Sequence, residues 1–155
     1  HRVVVTGGPG ERELTAAVAG RHALDLGGRT DVHQLAGVLA GARAVVVGNT
    51  GPAHLAAAVR TPVVCLFAPV VPARLWAPYG VPHVLLGDQD APCAGSRARR
   101  CPVPGHPCLD TVSDTALLAA VSRLTGPGRP SVPSAPGRTD RSVAAPDDTE
   151  RGATV

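Results

Sequence analysis

The residues best placed for chemistry lie in one stretch, Gly48-Asn49-Thr50-Gly51-Pro52-Ala53-His54. Before it runs Val45-Val46-Val47, an apolar β-branched strand. After it, Leu55-Ala56-Ala57-Ala58 continues a helix opened by Pro52. Proline suits a first helical turn, because its φ is pre-set and its missing N–H would be unpaired there anyway. Thr50 or Gly51 is the cap. Free amides in the first turn, with the helix dipole behind them, favour an anion. Thr50 adds a hydroxyl, and His54 can point toward the same anion. Together these features suit a diphosphate. The stretch is not a P-loop, which needs Gly-Lys-Ser/Thr, and it is not the Gly-x-Gly-x-x-Gly of dinucleotide folds. Taken alone, it is equally compatible with a structural helix cap beside a half-buried histidine.

Positioning such a turn requires a strand and a helix on either side, and the chain supplies both repeatedly. Arg2–Thr6, Ala23–Leu26, Ala44–Val47, Pro62–Phe67 and Val81–Leu86 read as strands. One helix is expected from Pro9 to about Gly20, with Leu14, Ala17 and Val18 inward. A second runs from Val32 to Ala40, capped by Asp31, with Leu35, Val38 and Leu39 inward. A third runs from Gly51 to about Arg60, and a last from Thr115 to Leu124, capped by Ser113. Strand–helix alternation with short connections implies an α/β, Rossmann-like parallel sheet with helices on both faces. The wholly apolar run Pro62–Phe67 fits a strand covered on both sides. In such sheets ligands bind beyond the carboxyl ends of the strands. Candidate residues therefore gather at Thr6-Gly7-Gly8-Pro9, Gly27-Gly28-Arg29-Thr30, Gly48–Pro52 and Ala68-Pro69.

Composition bounds the function. At 155 residues and 44% apolar, the chain can build one domain with a core. Its longest apolar run, Val63–Ala68, is too short to span a bilayer. The net charge is +3 and every basic residue is arginine. Arg97, Arg99 and Arg100 form the one basic cluster and read as a solvated loop. With Phe67, Trp76 and Tyr79 as the whole aromatic set, the chain lacks a base-stacking platform, so no nucleic-acid partner is expected. From 127 to 155 prolines are spread among Gly, Ser, Thr, Asp and Arg without apolar periodicity, which reads as a disordered tail on a domain of residues 1–126. The chain contains no methionine, and the expectation is a fragment of a longer protein.

Asp88 and Asp90 read as a solvated loop pair. Cys65 lies in an apolar strand and reads as a small core residue. Cys93, Cys101, His106 and Cys108 could supply four tetrahedral zinc ligands, but they contain no Cys-x2-Cys pair. Free thiols are the reading adopted, with zinc and a disulfide as the alternatives.

The stretch Gly48–Ala58, followed by Thr61-Pro62-Val63-Val64-Cys65-Leu66-Phe67-Ala68-Pro69, closely resembles glycosyltransferase family 9, the ADP-heptose:lipopolysaccharide heptosyltransferases. The resemblance reaches back through Thr6–Glu11 and Asp25–Thr30, and forward through Trp76–Gly80 to Cys101-Pro102 and Cys108-Leu109. It implies a GT-B fold, of which this chain is the carboxyl-terminal, donor-binding half, short of that half's first strand and the lysine-bearing loop after it. Carried over, Thr50 and Gly51 contact the donor phosphates, with His54 nearby. Asn49 takes the place of an Asp that contacts the donor sugar. Gly7, Gly8 and Glu11 form a turn whose acid holds the ribose hydroxyls, and Thr30 lines the base pocket.

The implied reaction is inverting glycosyl transfer without metal or cofactor. The donor would be a nucleotide sugar such as ADP-heptose, and the acceptor a lipopolysaccharide core or another envelope glycan. The catalytic base is expected in the amino-terminal domain, so this chain alone would be inactive. The implied location is the cytoplasm, at the inner face of the membrane. Two departures from the family pattern are Asn49 for Asp and Val70 for Ser or Thr. The competing readings are a GT-B nucleotide-sugar epimerase and a non-catalytic nucleotide-binding module.

Overall fold

In a computed structural model that describes residues 2–127, every strand pairing is parallel. The tail expected from 127 onward lies, Pro127 apart, outside the described residues. Strand β1 (Val4–Val5) pairs with β2 (Leu24–Asp25), and helix α1 (Arg12–Ala19) crosses between them. Helix α2 (Val32–Ala40) leads to β3 (Val45–Gly48), and α3 (Gly51–Ala58) carries the chain on to β4 (Val63–Leu66). Strand β4 pairs on its other side with β5 (His83–Leu86). Two short helices, α4 (Ala73–Trp76) and α5 (Pro107–Asp110), were not legible as periodic segments. Helix α6 (Asp114–Thr125) ends the described fold.

Strand β4 is the centre of the packing. Val63, Cys65 and Phe67 turn to one face and join Leu39, Ala53, Ala56 and Val81. Val64 turns to the other face and meets Ala120 and Leu124 of α6. All four β4-side residues are fully buried, which is why this strand carries no polar residue. Ala53 and Ala56 are buried because only small side chains let α3 lie this close to the sheet. The expected caps hold. Asp31 accepts from Gln34 N at 2.8 Å while Gln34 Oε1 accepts from Asp31 N at 3.0 Å, a reciprocal capping box. Ser113 Oγ accepts from Ala116 N at 3.2 Å.

Three expectations need correction. First, β1 and β2 are two residues each, and Pro9–Glu11 forms a 3-10 turn before α1. Second, α1 turns a different face inward. Leu14 and Val18 are 62% and 65% exposed, while Thr15 and Ala19 are buried. Glycines decide this: a Cβ on Gly7 would lie 2.6 Å from Thr15 Cγ2, and one on Gly27 would lie 2.9 Å from Thr15 Cβ. The two turns thus leave a slot that Thr15 fills.

Third, the strands form two sheets, β1-β2 and β3-β4-β5, instead of one. In a parallel ladder alternate residues turn both N–H and C=O to the same side. Leu26 N donates to Val5 O at 2.8 Å and Val45 N to Pro62 O at 2.9 Å. Val4 and Val46 therefore turn their backbone groups away from β2 and β4, to the open edges, and both side chains are exposed.

Candidate functional site

The candidate residues fall into two pairs of turns, each at the carboxyl ends of paired strands. In the first, the turns after β1 and β2 are tied by Gly28 N donating to Gly7 O at 2.8 Å, and Arg12 Nη2 reaches Gly28 O at 3.2 Å. Glu11 bends back so that Oε2 accepts from Gly8 N at 2.7 Å. One carboxylate oxygen is thereby used to fix the turn, and the residue is exposed. Gly7 makes room for Thr15, so its lack of a side chain is a packing requirement. Thr30 is half-buried and stands directly before the Asp31 cap.

The second pair joins the turns after β3 and β4. Asn49 Nδ2 donates to Ala68 O at 3.1 Å, and Asn49 Oδ1 accepts from Ala68 N at 3.3 Å. The carboxamide spans both backbone groups of one residue, so donor and acceptor are both needed. Thr50 is the N-cap of α3 in extended conformation, yet its side chain makes no capping bond. Its hydroxyl has only a 3.4 Å contact to Gly48 O and is exposed. Above Gly51 there is open space, with no atom within 4 Å of where a Cβ would stand. His54 is exposed, and its ring lies 6.3 Å from that of Trp76 at an interplanar angle of 61°. A threonine without a capping bond, an open glycine and an exposed imidazole thus lie at one helix start, where the first-turn amides are free.

The sequence did not reveal the neighbours of this turn. The segment after Gly87 folds back over the ends of β4 and β5. Gly95 N donates to Pro69 O and Arg97 N to Val70 O, both at 2.8 Å, and Asp88 N donates to Cys108 O at 2.9 Å. Ala91, Cys93 and Cys108 form a small core against Ala68 and Val70. Trp76 was visible as part of a motif, but nothing in the spacing set it against His54.

Among the described residues no three His, Cys, Asp or Glu side chains are gathered as a metal site. Cys93 and Cys108 are buried among apolar neighbours. Cys101 is exposed, with its thiol donating to Val103 O at 3.2 Å, and His106 is the left-handed residue before α5. All four cysteines are free thiols. Burial pushes the Cys65 thiol up to about 11. It raises Cys108 as well, with the Cys93 thiol as a second cause.

The family model described as glycosyltransferase family 9 (heptosyltransferase) matches residues 1–106, which include both pairs of turns. Lipopolysaccharide heptosyltransferase 1 of Pseudomonas aeruginosa is 45% identical over 73 residues, which are 47% of this chain and 20% of that protein. The crystal structure of a family 9 glycosyl transferase from Veillonella parvula matches with a TM-score of 0.68 at 18% identity, over 81% of this chain and 36% of the other. At that identity the likeness is one of fold. The chain spans about a third or less of the length of the relatives it matches. With the family's model covering more than half of the sequence, this chain belongs to glycosyltransferase family 9.

Proposed function

We propose that this chain is the carboxyl-terminal, nucleotide-sugar-binding half of a GT-B glycosyltransferase, with the donor diphosphate seated at the start of α3. The observation that carries the reading is the state of that helix start. Thr50 leaves its hydroxyl off the helix, Gly51 has open space above it, and His54 is exposed one turn on. The name of the Pseudomonas relative supports a heptosyl donor and a lipopolysaccharide acceptor. The open edges of β1 and β3 also support it. In a doubly wound sheet of order 3-2-1-4-5-6, β2-β1 and β3-β4-β5 make up the two ends with one strand position between them.

On this reading the reaction is inverting and uses no metal. A base of the acceptor domain takes the proton of the acceptor hydroxyl, which attacks the anomeric carbon from the face opposite the leaving group. The nucleoside diphosphate departs. Its developing charge is held by the Gly51 amide, the Thr50 hydroxyl, the α3 dipole and His54. Glu11 has one carboxylate oxygen left for the ribose hydroxyls, and Thr30 lines the base pocket. Asn49 holds the turn through Ala68 and presents only its remaining hydrogen-bonding capacity to the sugar. Among the described residues no helix is long and apolar enough to cross a membrane. The reading places the enzyme at the inner face of the cell membrane, where its acceptor would be. Calorimetric titration with ADP, UDP and GDP tests it, with adenosine as the phosphate-free control. Adenosine binding as tightly as ADP would remove the diphosphate from this turn.

A further inference from the structure

Val70, Val71, Trp76, Arg97 and Ala98 line a concavity of about 360 Å³ that the diphosphate reading leaves unused. It adjoins the start of α3, because Trp76 meets His54 edge-on. Its walls are the two valines and an indole that is 51% exposed. Its one charged group is Arg97, which is exposed. The Arg97 backbone is pinned to the wall by its amide on Val70 O, in a left-handed conformation with φ 55° that few non-glycine residues adopt. Arg12 and Arg43 spend their guanidinium groups on the carbonyls of Gly28 and Thr125, whereas that of Arg97 makes no such bond among the described residues. Residues 91–109 carry three arginines and no acid.

We infer that Trp76 and Arg97 form a saccharide subsite for a sugar ring bearing a carboxylate or a phosphate. An indole offers a broad, flat apolar surface against which the C–H face of a sugar ring can lie. A guanidinium takes two oxygens of a carboxylate or phosphate in parallel, which fixes orientation as well as charge. Apolar walls with one placed polar group are the usual make-up of a small-molecule site. The inference rests on the nucleotide-sugar reading, because a sugar held beside Trp76 stands next to the turn assigned to the donor diphosphate.

Trp76 is the only tryptophan in the chain, so tryptophan fluorescence reports this one indole, and the ADP titration gives the signal that arises on its His54 side. The full chain is titrated separately with glucuronate, glucose 6-phosphate, glucose and ADP. The two charged sugars, or one of them, should change Trp76 emission saturably at concentrations at least about tenfold below glucose; a response to one alone names the anion. Arg97→Gln should bring the charged sugars to the level of glucose and leave ADP affinity, measured by calorimetry, unchanged. Gly51→Val should lose ADP and keep the charged-sugar response, so failure of the diphosphate reading is seen separately. Charged sugars indistinguishable from glucose in the wild-type chain would overturn the subsite. So would wild-type response in a folded Arg97→Gln chain.

Discussion

Asn49 and Ala68, nineteen residues apart, are joined by two hydrogen bonds between one carboxamide and one residue's backbone. This clasp sets the turn after β3 against the turn after β4, and so fixes where Thr50, Gly51 and His54 stand. An aspartate could accept from the Ala68 amide but could not donate to its carbonyl. Asn49→Asp should therefore cost about 1–3 kcal/mol, because the half-buried Ala68 carbonyl loses its donor and faces a negative charge. Urea denaturation of the two proteins checks this, and equal midpoints would show that the clasp carries no stability.

At the start of α3 the geometry separates binding from folding. Nothing lies within 4 Å of a Cβ on Gly51, so Gly51→Val should fold normally. Its side chain would stand where the phosphate must approach, and ADP binding should be lost. His54→Ala should weaken ADP binding by about 1–3 kcal/mol if the imidazole donates to the anion. Calorimetry reads both. Unchanged affinity in both variants would move the diphosphate elsewhere.

Thr15 and Gly27 should be coupled. A side chain on Gly27 meets both Cβ and Oγ1 of Thr15. Gly27→Ala should destabilise by about 1–3 kcal/mol through overpacking. Thr15→Ala should recover part of that loss. A double-mutant cycle in urea gives the interaction directly, and strict additivity would contradict the packing described.

Alkaline pH should weaken the fold through its buried thiols. Cys65 is raised from 9.0 to about 11 by burial, so the folded state favours the neutral thiol. That contribution is fully present below pH 9 and is lost as pH rises from 9 to 11, because the unfolded chain gives up its proton first. Cys108 is shifted in the same direction and adds to the effect. Cys65→Ala should make stability fall less steeply across this window. An unaltered slope would mean that the thiol titrates alike in both states.

Hydrogen exchange should distinguish the paired from the open edges. Leu26 and Val45 donate their amides across the ladders, whereas Val4 and Val46 turn theirs outward. The latter two should exchange about 10–100 times faster. Equal protection would show that β1 and β3 are covered by another strand in solution.

Much of this architecture was readable in advance, because its causes are local. Asp31 and Ser113 announce helix starts by bonding amides three residues on. The run Val63–Phe67 is apolar at every position because β4 is covered on both faces, and Pro52 marks the first turn of α3. The turn after β3 was legible for the same reason: strand, cap and helix follow one another along the chain.

What the sequence could not disclose depends on residues far apart in it. Leu14 and Val18 fit an inward face by periodicity, yet two glycines in other turns admit only Thr15. Asn49 carries the same side chain whether it clasps Ala68 or reaches for a sugar, and only the approach of the β4 turn decides. The return of residues 88–106 over Pro69 and Val70 rests on backbone hydrogen bonds, which any residue with an N–H can make and which leave no mark on composition. That return alone brings Arg97 to Trp76.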